Sequence, residues 1–564
     1  MVEGESSLTA HSVFANDLVH RVMSGGTSIP EMHERIETLR NMVEAMKKQP
    51  AAHEMTYPHA KPTHFGSPKG CDLPPIAKTL ELLKLTRANP QLGIAWVFEL
   101  FEMEHFPETC LALYMAEEYN AAQFITVNVG LHILFSGYSY LHREKEQEYL
   151  DLALICAVNV ETALLSLPLH LPANDDVIVA LSFGVFYAVE LGKPALAWVL
   201  ASKASELCQS LGYHRIGTFA SDSVSSAARK RFLFWVVYTL DKSLSLRLGR
   251  SSTIHESDVT VPDPLSDGPS HSPISAFFGL WVVASRIQGQ IYELLYCPQA
   301  VAQPEAVRMA RVQLLLGQLD KLDALTDETS AKWESVLQQA SPCETTEFFI
   351  LSDEIVRLST RTLIHRAVPN PPGSPTTFTE DCILVARETL AKHQRCIALV
   401  ESTAERLFST YMNWTILFAP FAPFIVIFCQ VIETRDKSDL ARLEAFVNSL
   451  LPHISASEAV EKLRRLFQAL YSVASQYVES QTGAPGVQHQ ASTVDTCLVA
   501  LGFPAQPNLG LQEAPSVPAG EESASEAAFQ RGVNPMIWMG TGTDLEDWFY
   551  SNQEMLSFLG DDVS

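Results

Sequence analysis

Residues 229–250 read Arg229-Lys230-Arg231-Phe232-Leu233-Phe234-Trp235-Val236-Val237-Tyr238-Thr239-Leu240-Asp241-Lys242-Ser243-Leu244-Ser245-Leu246-Arg247-Leu248-Gly249-Arg250. The run is apolar and aromatic enough to be a buried helix, yet Asp241 and several cations are set into it with no visible catalytic partner. Asp241 follows Phe234, Trp235, Val236, Val237, Tyr238 and Leu240, so its carboxyl is expected to be at least partly buried. A buried carboxylate needs a cation or several donors, because leaving it unpaired costs stability or shifts its pKa strongly. Arg231, Arg215, Arg247 and Arg250 are the candidate partners. Two readings follow for Asp241: a structural ion pair, or a ligand-sensing site. Arg229, Lys230 and Arg231 stand near the helix start, where cations oppose the dipole, so they are expected to answer acids elsewhere in the fold.

Upstream lies a helical pair. Asn174-Asp175-Asp176 offers an N-cap and early acids that suit a positive helix start. Gly192 is placed to end the first helix in a left-handed turn, and Pro194 to open the next with φ already set. Leu196, Val199, Leu200, Leu207 and Leu211 line one face of that second helix, and Gly212 closes it. The product is an antiparallel helical hairpin.

Helical periodicity continues on either side, without a convincing run of alternating strands. Polar breaks fall at 265–273 and 368–377, with the chemistry of loops rather than the length of domain linkers. The expected architecture is all-α: a large irregular bundle of antiparallel helices over 75–480. Before it, residues 1–74 hold N-terminal helices and a His- and Pro-rich loop. Met32, Ile36, Leu39, Val43 and Met46 form a short heptad seam there, read as a surface helix or as a dimer seam. After it, 481–535 has the composition of a disordered linker. The tail, 536–564, mixes acids with aromatics, and Leu545, Trp548, Phe549, Leu556 and Leu559 share one helical stripe. Such a tail docks on a partner groove or on its own body.

Composition narrows the function. The 564 residues carry 40 Lys+Arg against 65 Asp+Glu, a net charge of -25, which argues against direct contact with DNA by this surface. Residues 1–75 hide no basic arm. Ten cysteines are scattered singly, without the spacing of a zinc site or a disulfide framework. His53, His59, His64 and Cys71 share a loop but match no metal-ligand spacing. The longest apolar run, Thr415 to Cys429, contains Pro420 and Pro423 and falls short of the ~20 residues a membrane span needs. It is expected to be a buried, kinked helix. Ser136-Gly137-Tyr138-Ser139-Tyr140 lacks the second glycine of a nucleophile elbow, and Gly540-Thr541-Gly542-Thr543 follows no strand. No enzyme, cofactor or metal is expected.

Several stretches together resemble the middle homology domain of fungal zinc-cluster transcription factors. They are Gly192-Lys193-Pro194-Ala195-Leu196-Ala197-Trp198, Leu211-Gly212-Tyr213-His214-Arg215, Arg231-Phe232-Leu233-Phe234-Trp235 with Tyr238, Leu240-Asp241-Lys242, Leu248-Gly249-Arg250, and Ile254 to Pro264. Leu73-Pro74-Pro75 and the run from Pro420 look like flanking elements of the same family. The resemblance implies a nuclear regulator with a ligand-responsive or inhibitory middle domain and a tail that contacts the transcription machinery or co-regulators. It also implies a role in a metabolic or secondary-metabolite gene cluster, and a homodimer or heterodimer with a zinc-cluster factor. Members carry a six-cysteine cluster, which is not found in these residues, so DNA contact is expected to be indirect unless a cluster precedes Met1. No zinc ligand carries over. The alternative is an all-α small-molecule-binding protein or enzyme unrelated to transcription.

Overall fold

The computed structural model describes residues 4–24, 55–61, 71–88, 105–116, 120–266, 272–340, 343–369, 374–403, 405–418, 421–450 and 458–480. Among these, every regular element is helical, and seventeen α-helices pack together. They are α1 (Leu8–Ser24), α2 (Ile76–Ala88), α3 (Phe106–Met115), α4 (Ala121–Leu141), α5 (Glu146–Leu165), α6 (Asp175–Glu190), α7 (Pro194–Ser210) and α8 (Val224–Leu248). The chain continues through α9 (Pro273–Ile291), α10 (Pro298–Val301), α11 (Glu305–Ala340), α12 (Cys343–Arg366), α13 (Glu380–Thr403), α14 (Glu405–Tyr411), α15 (Pro423–Thr434), α16 (Lys437–Ser449) and α17 (Glu458–Ser480). The seam residues Ile36, Leu39, Val43 and Met46 lie outside the described residues, as do the linker and the tail with Leu545, Trp548, Phe549, Leu556 and Leu559.

Local chemistry explains the helix ends. The Asn174 side chain accepts from Val177 N at 2.9 Å and caps α6, whose first turn carries Asp175 and Asp176. Three helices then stop on the same three-residue phrase, Leu-Gly-X, at Leu191-Gly192-Lys193, Leu211-Gly212-Tyr213 and Leu248-Gly249-Arg250. At each, the glycine takes a positive φ of 66°, 75° and 64°. The amide beyond it reaches back five residues, Lys193 to Ala188 O, Tyr213 to Cys208 O and Arg250 to Ser245 O, each at 2.9 Å. This double closure satisfies carbonyls that a helix end would otherwise orphan.

The interior comprises three apolar clusters. One joins α2 through α9 and holds Phe183, Phe234 and Trp235. A second joins α1 with α12 through α17 around Phe424, Phe446 and Phe467. A third, with Leu280, Ile291, Leu315 and Leu363, ties α9 to α11 and α12. Each fully buried large side chain contributes roughly 1.5–3 kcal/mol, so no single helix decides the fold.

Three features depart from what the sequence suggests locally. Helix α1 belongs to the body: Leu8, Ala15, Leu18 and Val19 are buried in the second cluster. Residues 55–61 are pinned on the surface of α5, where Lys61 N donates to Thr162 Oγ1 at 3.0 Å and His59 N to the buried Glu161 carboxylate. The apolar run Thr415–Cys429 is divided between two helical elements. A π turn at Met412–Ile416 ends it on one side, closed by Leu417 N to Met412 O at 2.7 Å, and Pro423 opens α15 on the other. Proline at a first helical turn interrupts no hydrogen bond, so it starts a helix here and does not kink one.

Candidate functional site

Helix α8 presents two faces with different tasks. On one, Trp235, Tyr238, Asp241, Lys242 and Ser245 hold the return segment 250–264. Asp241 is fully buried, and its two carboxylate oxygens accept from Thr253 N and Ile254 N, each at 3.0 Å. Burial pushes its pKa up, and those two amides push back. Lys242, 1% exposed, donates from Nζ to Ser252 Oγ at 2.8 Å and to Ile254 O at 2.7 Å. Further along, Tyr238 OH donates to Glu256 at 2.5 Å, Trp235 Nε1 to Pro262 O at 3.0 Å, and Arg286 of α9 reaches Glu256 at 2.9 Å. The segment is thereby strapped across the helix.

The arginines expected at Asp241 are placed elsewhere. Arg250 stacks on the Trp198 ring, 4.6 Å from its centroid, and Arg231 Nε donates to Ala227 O at 3.3 Å. Ten residues of helix separate Arg231 from Asp241, about 15 Å of rise, which is too far for a pair. Arg215 is exposed at the turn after α7, and Arg247 Nε donates to Leu417 O at 2.7 Å. Within the basic triplet, Lys230 answers Asp222 at 3.0 Å. Asp241 is thus held chiefly by main-chain donors, which no composition-based reading of the helix exposes.

The opposite face of α8, with Val236, Thr239, Leu240 and Ser243, opens on a cavity of about 290 Å³. Its other walls come from α9 (Phe277, Trp281, Gln288), α12 (Phe348, Asp353), α6 (Phe186) and the segment from Thr410 to Phe418. Trp414 is its aromatic hinge, with ring centroids 5.1 Å from Phe186 and 5.2 Å from Phe418. The Glu190 side chain fixes Trp414 by accepting from its Nε1 at 2.5 Å. A π turn commonly marks a functional site, and this one supplies part of the wall.

Several polar groups in this wall are fixed by hydrogen bonds. Ser243 Oγ donates to Gln288 Oε1 at 2.6 Å, so the other end of that amide is a donor. Asp353 accepts from Trp281 Nε1 at 3.2 Å and from Arg357, which also bonds Asp323 of α11 at 2.7 Å. Burial pushes the Asp353 carboxyl up, and the Arg357 charge opposes it. Among the described residues no lysine, arginine or histidine lines it. A concave, mostly aromatic space with a few convergent polar groups is how small-molecule sites are built. Sequence reasoning missed Trp281, Gln288, Asp353 and Trp414. Trp414 at the head of the long apolar run was the available signal; Asp353 gave none, since an acid in an amphipathic helix reads as surface.

Among the described residues there is no metal-ligating cluster, and no helix is long and apolar enough to cross a membrane. Comparison with known proteins identifies one domain within the chain. Residues 111–292 match the fungal specific transcription factor domain, and the chain carries that domain, which belongs to a family of transcription factors and not of enzymes. An uncharacterized transcriptional regulatory protein of Schizosaccharomyces pombe is 27% identical over 293 residues, 47% of this chain and 42% of that protein. An ABC-transporter-regulating transcription factor of Aspergillus fumigatus is 32% identical over 141 residues, 23% and 15% of the two chains. The lactose regulatory protein LAC9 of Kluyveromyces lactis is 29% identical over 101 residues, 18% and 11%. The matched part thus spans between 11% and 42% of these three relatives. No solved structure matches the chain. The domain match ends at residue 292, so Phe348, Asp353, Tyr411 and Trp414 bring to the cavity a wall from outside it.

Proposed function

We propose that this chain regulates transcription in the fungal nucleus through protein contacts, with the helical body as its effector-responsive part and the acidic-aromatic tail as its activating part. The observation that carries this reading is the domain match over 111–292, whose helices α8 and α9 wall the cavity. Co-regulators or the transcription machinery are the partners of the tail, and a zinc-cluster factor or a second copy is the route to DNA. The relatives named for ABC-transporter and lactose regulation favour a metabolic or secondary-metabolite gene set as target.

A reporter fusion of the full chain tests it. Replacing Trp548 and Phe549 together with Ala should lower reporter output several-fold without changing protein level. Unchanged output overturns the activating role of the tail.

A further inference from the structure

The cavity beside α8 constrains the chemistry of what enters it. Its wall is dominated by rings, Phe186, Phe277, Trp281, Phe348, Tyr411 and Trp414 among them. Apolar burial in such a space is the main source of affinity. The volume, about 290 Å³, suits a compact ligand at the lower end of small-molecule sites.

Electrostatics sets the other condition. Among the described residues the lining includes one carboxyl group, that of Asp353, which bonds Arg357, and no cation. Arg357, its partner, is shared with Asp323, and Arg361 is in turn divided between Asp320 and Asp323 at 2.7 and 2.8 Å. The positive charge behind the wall is therefore spent on three acids. An organic acid or phosphate entering here would be desolvated beside the Asp353 carboxyl, whose Arg357 partner is already engaged, with no cation among the described lining residues to answer it, which is strongly unfavourable. A hydrogen-bond donor meets the opposite situation, since a carboxylate with two donors still has lone pairs to offer.

We infer that the cavity is an effector site for an uncharged, compact aromatic molecule bearing an N–H or O–H donor, and that Asp353 excludes anionic ligands from it. This rests on the regulatory reading above for its role as an effector site, but the binding chemistry stands on the cavity alone. Because α8 and α9 form one side and α12 with the 410–418 segment the other, an occupant touches both walls of the cavity.

The test uses the full-length protein and two dyes on one ring skeleton. N-phenyl-1-naphthylamine is neutral and carries one N–H, whereas 8-anilino-1-naphthalenesulfonate adds a sulfonate. The neutral dye should bind one per chain, saturably and with enhanced emission, and a ten-fold excess of the sulfonate should not displace it. Ala284→Phe and Ile274→Trp, which fill the space from α9, should each weaken the neutral dye at least ten-fold while the circular dichroism melt persists. Asp353→Asn should keep neutral-dye binding within about three-fold and let the sulfonate compete. Equal binding of both dyes to the wild-type chain overturns the exclusion of anions. Neutral-dye binding unaltered in both filling variants, or absent from the folded wild-type chain, overturns the site. Dye binding with a reporter indifferent to the filling variants sustains the chemistry and overturns the effector role, while the tail experiment fails or succeeds independently.

Discussion

Arg247 Nε lies 2.7 Å from the carbonyl oxygen of Leu417, a hydrogen bond between residues 170 positions apart, buried where the end of α8 meets the end of the π turn. It fastens the matched domain to the helices that follow it. A charged donor on a buried carbonyl contributes about 1.5–3 kcal/mol. Arg247→Met preserves most of the apolar stem and should lower unfolding free energy by about 2 kcal/mol, read by urea denaturation. A loss below about 0.5 kcal/mol would show that the contact is incidental.

The Asp241 clamp is tested by Asp241→Ala. Two amides, the half-buried Thr253 and the buried Ile254, then lose their acceptor. Each unsatisfied group costs about 1–3 kcal/mol, so a loss of roughly 3 kcal/mol is expected. Hydrogen exchange at those two amides should speed up by at least an order of magnitude, and protection kept at wild-type levels would refute the clamp.

The end of α8 is crossed by the N-terminal segment, with Gly4 N on Leu248 O at 2.9 Å and Ser6 Oγ on Leu246 O at 2.6 Å. A Cβ on Gly4 would stand 1.8 Å from Gly249 O. Gly4→Ala should therefore lift the segment off and expose the approach to α1 to proteolysis. A digestion pattern identical to wild type would count against this crossing.

Acid sensitivity follows from His393. Its ring nitrogens bond Tyr411 OH at 2.6 Å and Ser449 Oγ at 2.9 Å, and burial pushes its pKa down to about 3. The unfolded chain takes up that proton near its ordinary value of 6.5, the folded chain only near 3. The contribution is thus complete above pH 6.5 and declines as pH falls toward 3, by up to ~1.4 kcal/mol per unit. His11, held low by burial and by Arg366 and Arg247, adds in the same direction. Chemical denaturation between pH 7.5 and 5.5 should show a shallower slope for His393→Asn than for wild type. Parallel slopes would exclude His393 as a source.

A last substitution probes the α8 face toward the cavity. Among the described residues the buried Thr239 hydroxyl has no hydrogen-bond partner. Thr239→Val removes an unsatisfied group at nearly constant shape and should raise stability by about 1 kcal/mol. A thermal melt settles the sign, and a decrease would mean that the hydroxyl is used.

Much of the fold was legible because helices announce their ends. Asn174, Gly192, Pro194 and Gly212 each act where their side-chain and backbone chemistry places them. The all-α class and the resemblance to the transcription factor domain were legible for the same local reason. Long-range pairing was not. Asp241 meets amides twelve and thirteen residues on, and main-chain donors leave no mark in a sequence. The cavity was hidden more deeply, since its walls are drawn from residues as far apart as Phe186 and Phe418 and only packing brings them together. Trp281 and Trp414 look like ordinary core aromatics until their rings are seen to border open space.

The clamp at Asp241 recognises peptide groups first, with the Thr253 side chain a lesser contributor. The clamp therefore closes positions 253 and 254 to one residue, proline, which has no N–H to give, while burial of the Ile254 side chain separately keeps that position apolar. Related chains that share the strap would be expected to vary at 253 and to keep an apolar residue at 254, with the clamp itself visible only as a missing letter.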